Sequence, residues 1–214
     1  MHIKKPVLRA LCGLLLAFAA IVLPDTASAE SVIKRPGAHP DYSVELEPHG
    51  IIGWGGWYGG PFDDEGFGIG LRATIPIVQQ GPIKKINNSM GIGFGGDFLF
   101  YGDDDYDCDW GRCRGLARDY GGNALYLPVV LQWNFWLTDV ISVFGEPGLA
   151  IRHAWVHWDY PCPSPSGFCE GDASDTDFVP FIFFAGGRFM FSDTVGLTVR
   201  LGWPYLSVGA SFLL

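Results

Sequence analysis

Lysine is nearly missing from the body of this 214-residue chain: beyond residue 29 only Lys34, Lys84 and Lys85 occur. Sustained helical periodicity is missing as well. After residue 30 no apolar run approaches the roughly 20 residues that a membrane helix needs. There is no GxSxG, no HExxH and no phosphate-binding glycine loop. These absences remove helical bundles, helical membrane spans and the common motif-bearing hydrolases. The charge balance removes another class. Fourteen Lys+Arg face 23 Asp+Glu, for a formal net charge of -9. A nucleic-acid partner, which wants a basic patch, is not expected.

What is present begins with an address. Lys4, Lys5 and Arg9 precede an apolar core at 10–23, "ALCGLLLAFAAIVL", and "ASA" at 27–29 offers small residues before Glu30. The pattern predicts a secretory signal peptide over 1–29, cut after Ala29. The alternative, a retained transmembrane helix, has too few apolar residues to cross comfortably. Cleavage removes three basic residues and one acidic one, leaving 11 against 22 and a net charge of -11. Four cysteines remain, Cys108, Cys113, Cys162 and Cys169. In an oxidising compartment disulfides are their expected use, with three possible pairings. The simplest pairs each cysteine within its own loop; a clamp across the two loops is the other arrangement.

The rest of the chain alternates in the manner of two-faced strands. Eight runs show it: 42–54, 66–77, 90–101, 123–136, 140–156, 177–191, 194–203 and 205–214. In 66–77, for example, Phe67, Ile69, Leu71, Ala73, Ile75 and Ile77 share one face. Long connectors at 55–65, 102–122 and 157–176 alternate with short ones near 137–139 and 192–193. Long loops at one end and short turns at the other predict an all-β fold: a closed eight-stranded antiparallel up-and-down transmembrane barrel over 42–214. Closure is required because a sheet edge cannot stay unpaired in lipid.

The second face explains an oddity of the first run, "YSVELEPHGIIGW", in which Glu45, Glu47 and His49 oppose the oily face of Tyr42, Val44, Leu46 and Ile52. With Arg72, Asp97, Glu146, Arg152, Arg188 and Arg200, they are the expected lumen charge network. An interior of eight strands is just wide enough to be filled by side chains, and buried charges must pair. Carboxylates on neighbouring strands also fit a catalytic pair, and that alternative stays open. Gly66, Gly68, Gly70, Gly91, Gly93 and Gly95 are expected on the inner face, with Tyr126, Trp136, Phe144, Phe178 and Phe184 filling the space or lining a small apolar cavity. Aromatics near strand ends are expected to form two girdles: Trp54, Trp57, Tyr58, Phe100, Tyr101, Trp155, Trp158, Tyr160, Trp203 and Tyr205 at the long-loop end, and Trp133, Phe135, Trp136, Phe189 and Phe191 at the other.

No metal, cofactor or catalytic site is expected. Asp103, Asp105, Asp107 and Asp109 alternate, but a calcium loop counted from Asp105 has Trp110 and Leu116 where glycine and glutamate belong. His153 and His157 stand about 13 Å apart along a strand, too far for one metal.

Two stretches carry a family resemblance. "LPVVLQWNFWLTDVISVFGEPGLAI" (127–151) and "GGRFMFSDTVGLTVRLGWPYLSVGASFLL" (186–214) resemble the small eight-stranded outer-membrane barrels of the OmpA/OmpX-like superfamily. The resemblance implies an outer-membrane location in a Gram-negative bacterium, both termini in the periplasm, and residues 30–41 as a short periplasmic tail. It implies outer-membrane lipid and the barrel-insertion machinery as partners, the latter reading a terminal strand that Gly209, Phe212 and Leu214 fit and Val208 does not. The expected role is structural or a surface interaction with an extracellular partner of the loops, not enzymatic. Three alternatives remain: an outer-membrane lipid-modifying enzyme, a small pore, which eight strands argue against, and a secreted lipocalin-like binder with the two faces reversed.

Overall fold

β-Branched and aromatic residues at every second position give strands, and eight of them form. In the computed structural model, residues 30–53, 66–101, 119–161 and 168–214 are described, the side chains of 119–121, 158–161 and 168–170 excepted. The strands are β1 (Glu45–Gly53), β2 (Gly66–Val78), β3 (Asn88–Tyr101), β4 (Asp119–Trp136), β5 (Ile141–Pro161), β6 (Phe168–Met190), β7 (Val195–Gly202) and β8 (Tyr205–Leu213). Each pairs antiparallel with the next, and β8 returns to β1, so the sheet is a closed barrel without edges. The expected fold class is the one observed. The signal peptide, Trp54, Trp57, Tyr58, the aspartate run and Cys108, Cys113 and Cys162 lie outside the described residues.

The alternation resolves into two faces. Ile69 (67% exposed), Leu71, Ile75, Phe94, Val129, Ile151, Phe181 and Leu201 point outward. Glu45, Glu47, Asp97, Glu146, Arg72, Arg188 and Arg200 are all buried inside. This is the reverse of a water-soluble barrel.

Prolines locally relax the wall. The β1–β8 ladder skips Glu47 and Pro48, the β4–β5 ladder skips Glu146 and Pro147, and the β3–β4 ladder skips Gly95 and Gly96 opposite Leu127 and Pro128. Proline has no N–H to donate to a ladder. At Pro180 the consequence is larger. The β5–β6 register shifts between Gly148 and Ala150, and such a bulge flips the faces beyond it. Phe178, expected inside, is 63% exposed, and Val179, expected outside, is 9% exposed.

Two further expectations are corrected. β4, β5 and β6 run on through 119–122, 157–161 and 168–176, which their Asp, Ser and Gly content had marked as loop; cross-strand pairing there overrides composition. Tyr42, expected on the oily outer face, precedes β1 and is buried with Val32, Trp136, Met190 and Leu213. Residues 30–41 do not trail away: Val32 N–H donates to Leu137 O, Asn87 N–H to Ile33 O, and His39 stacks on Trp136 at 5.7 Å. This segment is folded onto the short-turn end of the barrel.

Candidate functional site

The site that sequence pointed to is the barrel interior, and its contents are layered from the short-turn end upward. In the lowest ionic layer Arg188 Nη2 donates to both oxygens of Glu45 at 2.5 Å. The guanidinium lies over Trp136 and Phe144, 5.8 and 5.6 Å from the ring centroids. Above it, Arg200 Nη1 and Nη2 donate to Glu47 at 2.5 and 3.0 Å, and Nε donates to Glu146 at 2.7 Å. Phe144 also faces Arg200, at 5.2 Å, so one ring separates two guanidinium groups.

Glu146 joins these groups to the next layer. It accepts from Arg72 Nη1 at 3.1 Å and from Gln132 Nε2 at 2.8 Å as well as from Arg200. Arg72 Nη2 donates to Asp97 at 3.0 Å and to the Tyr205 hydroxyl at 3.1 Å. Tyr205 donates in turn to Asp97. His49 Nε2 meets the other Asp97 oxygen at 2.9 Å. A side chain at position 70 would intrude here: a Cβ on Gly70 would stand 2.3 Å from both Asp97 Oδ1 and His49 Nε2. The absence of a side chain on this strand is what lets the acid and the imidazole meet.

Eight of the nine ionisable residues expected in the interior are therefore brought together. Arg152 is not among them. It pairs with Asp177 near the long-loop end, and both are partly exposed. A separate apolar cluster includes Ile51, Leu99, Ala124, Ile182 and Phe184, and on β4 and β5 it continues past Arg152 to the Ala124–Ala154 rung. This division of the interior into ionic and apolar parts is not shown by the sequence alone.

Sequence reasoning missed several participants. Tyr101 and Tyr205, placed among the girdle aromatics, are buried. Their parity was the available signal: Tyr205 shares its face with Ser207 and Gly209. Gln132 and Asn134 were passed over as unlabelled polar residues on β4, yet Asn134 supports Gln132 at 2.8 Å, and Gln132 supports Glu146. Asp177 opens the expected run 177–191 on the face assigned outward, and the register shift turns it inward.

Outside the barrel, cross-strand pairs bring a Thr176 hydroxyl to 2.5 Å from His153 Nδ1 and an Asp172 carboxylate to 2.6 Å from His157 Nδ1. The first is a distance at which a base can activate a hydroxyl. Among the described residues no carboxylate orients the other nitrogen of His153, so the pair is half of a catalytic arrangement. Nor do three His, Cys, Asp or Glu side chains gather there to hold a metal.

No family model matches the chain, and no curated protein matches it. Several solved chains are similar to it. The crystal structure of Ail, the attachment invasion locus protein of Yersinia pestis, is 14% identical, with 81% of this chain and 99% of that chain covered and a TM-score of 0.41. The structure of Ail in complex with the heparin analogue sucrose octasulfate is 13% identical over the same shares, with a TM-score of 0.42.

Proposed function

We propose that this chain is an integral outer-membrane protein of a Gram-negative bacterium, with a structural or surface-interaction role and no catalysis of its own. A signal peptide cleaved near Ala29 directs export, residues 30–41 stay on the periplasmic side, and residues 42–214 form the outer-membrane barrel. The observation that carries this reading is the inversion of the two faces: large apolar side chains such as Ile69 and Phe181 stand exposed while seven charged residues are sealed inside. In water that outer surface would aggregate; in hydrocarbon it is the stable arrangement.

The ionic layers, with Trp136, Phe144 and Tyr205, plug the lumen, so the barrel is not a pore. A lipocalin-like binder needs room where Glu146 and Arg200 are buried, and that weighs against the reversed reading. The cysteines staple the surface loops, Cys108 to Cys113 and Cys162 to Cys169. The partners are outer-membrane lipid, the insertion machinery during assembly, and an extracellular partner of the loops.

Fractionation tests this directly. The protein is expected in the outer-membrane fraction, resistant to carbonate washing, and faster on an unheated detergent gel than after boiling. Recovery in the periplasm or medium without detergent would overturn it. Peptide mapping without reduction tests the two disulfides.

A further inference from the structure

The outer surface changes chemistry abruptly along the β5–β6 ladder. The rung Ile151–Phe178 is apolar and exposed on both sides. The next three outward rungs are His153–Thr176, Trp155–Ser174 and His157–Asp172. Asn123 of β4 stands opposite Trp155 on the other side. Asn123, Trp155, His157, Asp172 and Ser174 are five of the nine residues that line an open recess of about 600 Å³; the other four, Tyr101 among them, stand at the alternate positions of these strands. That volume lies within the roughly 300–1,000 Å³ typical of ligand sites.

The lining selects a chemical class. Trp155 is 40% exposed and offers an indole surface, whose negative ring face attracts polarised C–H groups. Around it stand an amide, a hydroxyl, an imidazole and a carboxylate, which supply both donors and acceptors. His157 and Asp172 meet at 2.6 Å and both are exposed, so each still presents polar atoms to a ligand. No lysine or arginine lines the recess, and Asp172 would repel an anion. A ligand with a flat C–H face and many hydroxyl groups matches; a phosphate or sulfate ester does not. Successive outward rungs are about 7 Å apart, so the three rungs span more than one sugar ring.

We infer that this recess binds an uncharged, hydroxyl-rich oligosaccharide, with Trp155 as the stacking platform and Asn123, Ser174 and the His157–Asp172 pair as the hydrogen-bonding set. The inference rests on the outer-membrane reading, which places these rungs immediately above the hydrocarbon, at the level of lipid headgroups. The sugar therefore belongs to an outer-leaflet glycolipid or to a free glycan, and the chemistry of recognition is the same for both.

The test uses the full barrel in phosphatidylcholine nanodiscs. Three probes are titrated: neutral tri- to hexasaccharides of glucose and galactose, the same nanodiscs doped with lactosylceramide, and a sulfated oligosaccharide. Binding is read by saturation-transfer NMR and by the change in tryptophan fluorescence. Saturable binding of a neutral probe is expected, weakened at least tenfold by Trp155→Ala and by Asp172→Asn. Binding of free saccharides assigns the site to soluble glycans, and binding only in doped nanodiscs assigns it to a glycolipid. No binding to any neutral probe, tighter binding of the sulfated one, or binding indifferent to both substitutions overturns the inference. The unheated-gel shift is measured on the same preparations. If it is retained while binding fails, the glycan site is wrong and the membrane reading stands.

Discussion

Consider the Glu45–Arg188 pair cut in half. Both side chains are essentially inaccessible, and Arg188 engages Glu45 through Nη2 alone. Arg188→Met removes the cation and strands a buried carboxylate. Removing one partner of a buried ion pair costs about 3–5 kcal/mol, and every 1.4 kcal/mol is about tenfold. The folding equilibrium should therefore fall between roughly a hundredfold and several thousandfold. Glu45→Leu strands the guanidinium and should cost a similar amount. The double variant strands nothing. Its new apolar side chains meet Trp136, Phe144 and the Tyr42–Met190–Leu213 cluster, and replacing a whole buried pair by apolar groups is often neutral or stabilising. The expected coupling is then at least about 3 kcal/mol. Urea titration of unfolding in lipid vesicles, followed by tryptophan fluorescence, measures all four corners of the cycle. Single variants that each cost less than about 1 kcal/mol, or a double variant that costs their sum, would refute the claim that the interior charges stand in a dry, mutually dependent arrangement.

Other outcomes follow from the same geometry. Leu71→Arg, on the outward face of β2, should destabilise the inserted barrel by about 2–4 kcal/mol, read from the same titrations; no effect would mean the position meets water. Gly70→Ala should cost more than the roughly 1–3 kcal/mol of ordinary overpacking, because its Cβ would strike Asp97 and His49. Gly50→Ala, whose Cβ would meet only the Val208 carbonyl oxygen at 4.0 Å, should fold normally on the unheated gel. Tyr42 lies ahead of β1, and burial, reinforced by Glu45 and opposed by Arg188, pushes its pKa up to about 12. A phenol raised in the folded state contributes stability that is intact below its unfolded value near 10 and is lost as pH rises from there toward 12, roughly 2–3 kcal/mol in all. Tyr42→Phe should flatten the fall in stability across that window.

The fold was legible because a strand that meets two solvents writes both of them into its sequence at period two. Phe67, Ile69 and Leu71 against Gly66, Gly68 and Gly70 identify the faces without further information. The interior acids and arginines were legible for the same reason: Glu45 and Glu47 have no business on a hydrocarbon face. Pairing was not legible, because Glu146 meets Arg72 and Arg200 across sequence separations of 74 and 54 residues that only closure brings together. Parity failed at the register shift by Pro180, since one extra residue exchanges the faces of everything beyond it. Composition failed on β5 and β6 above the apolar belt. There β6 is exposed on both faces from Asp172 to Thr176, and Asp172, Ser174 and Thr176 read as loop residues although they are paired. The order of the tail was not legible, because it depends on the barrel mouth, through Asn87, Leu137 and Trp136, and not on any local pattern.

The central claim is which face meets lipid, and one experiment tests it without altering the chain. The methyl-labelled protein is placed in nanodiscs containing a lipid with a nitroxide on its acyl chain, and methyl NMR signals are compared before and after reduction of the nitroxide. Ile69, Leu71, Ile75, Ile92 and Leu201 should broaden strongly, while Ile51, Leu99 and Ile182 keep their intensity. Equal broadening of the two sets, or broadening of the inner set alone, would contradict the account.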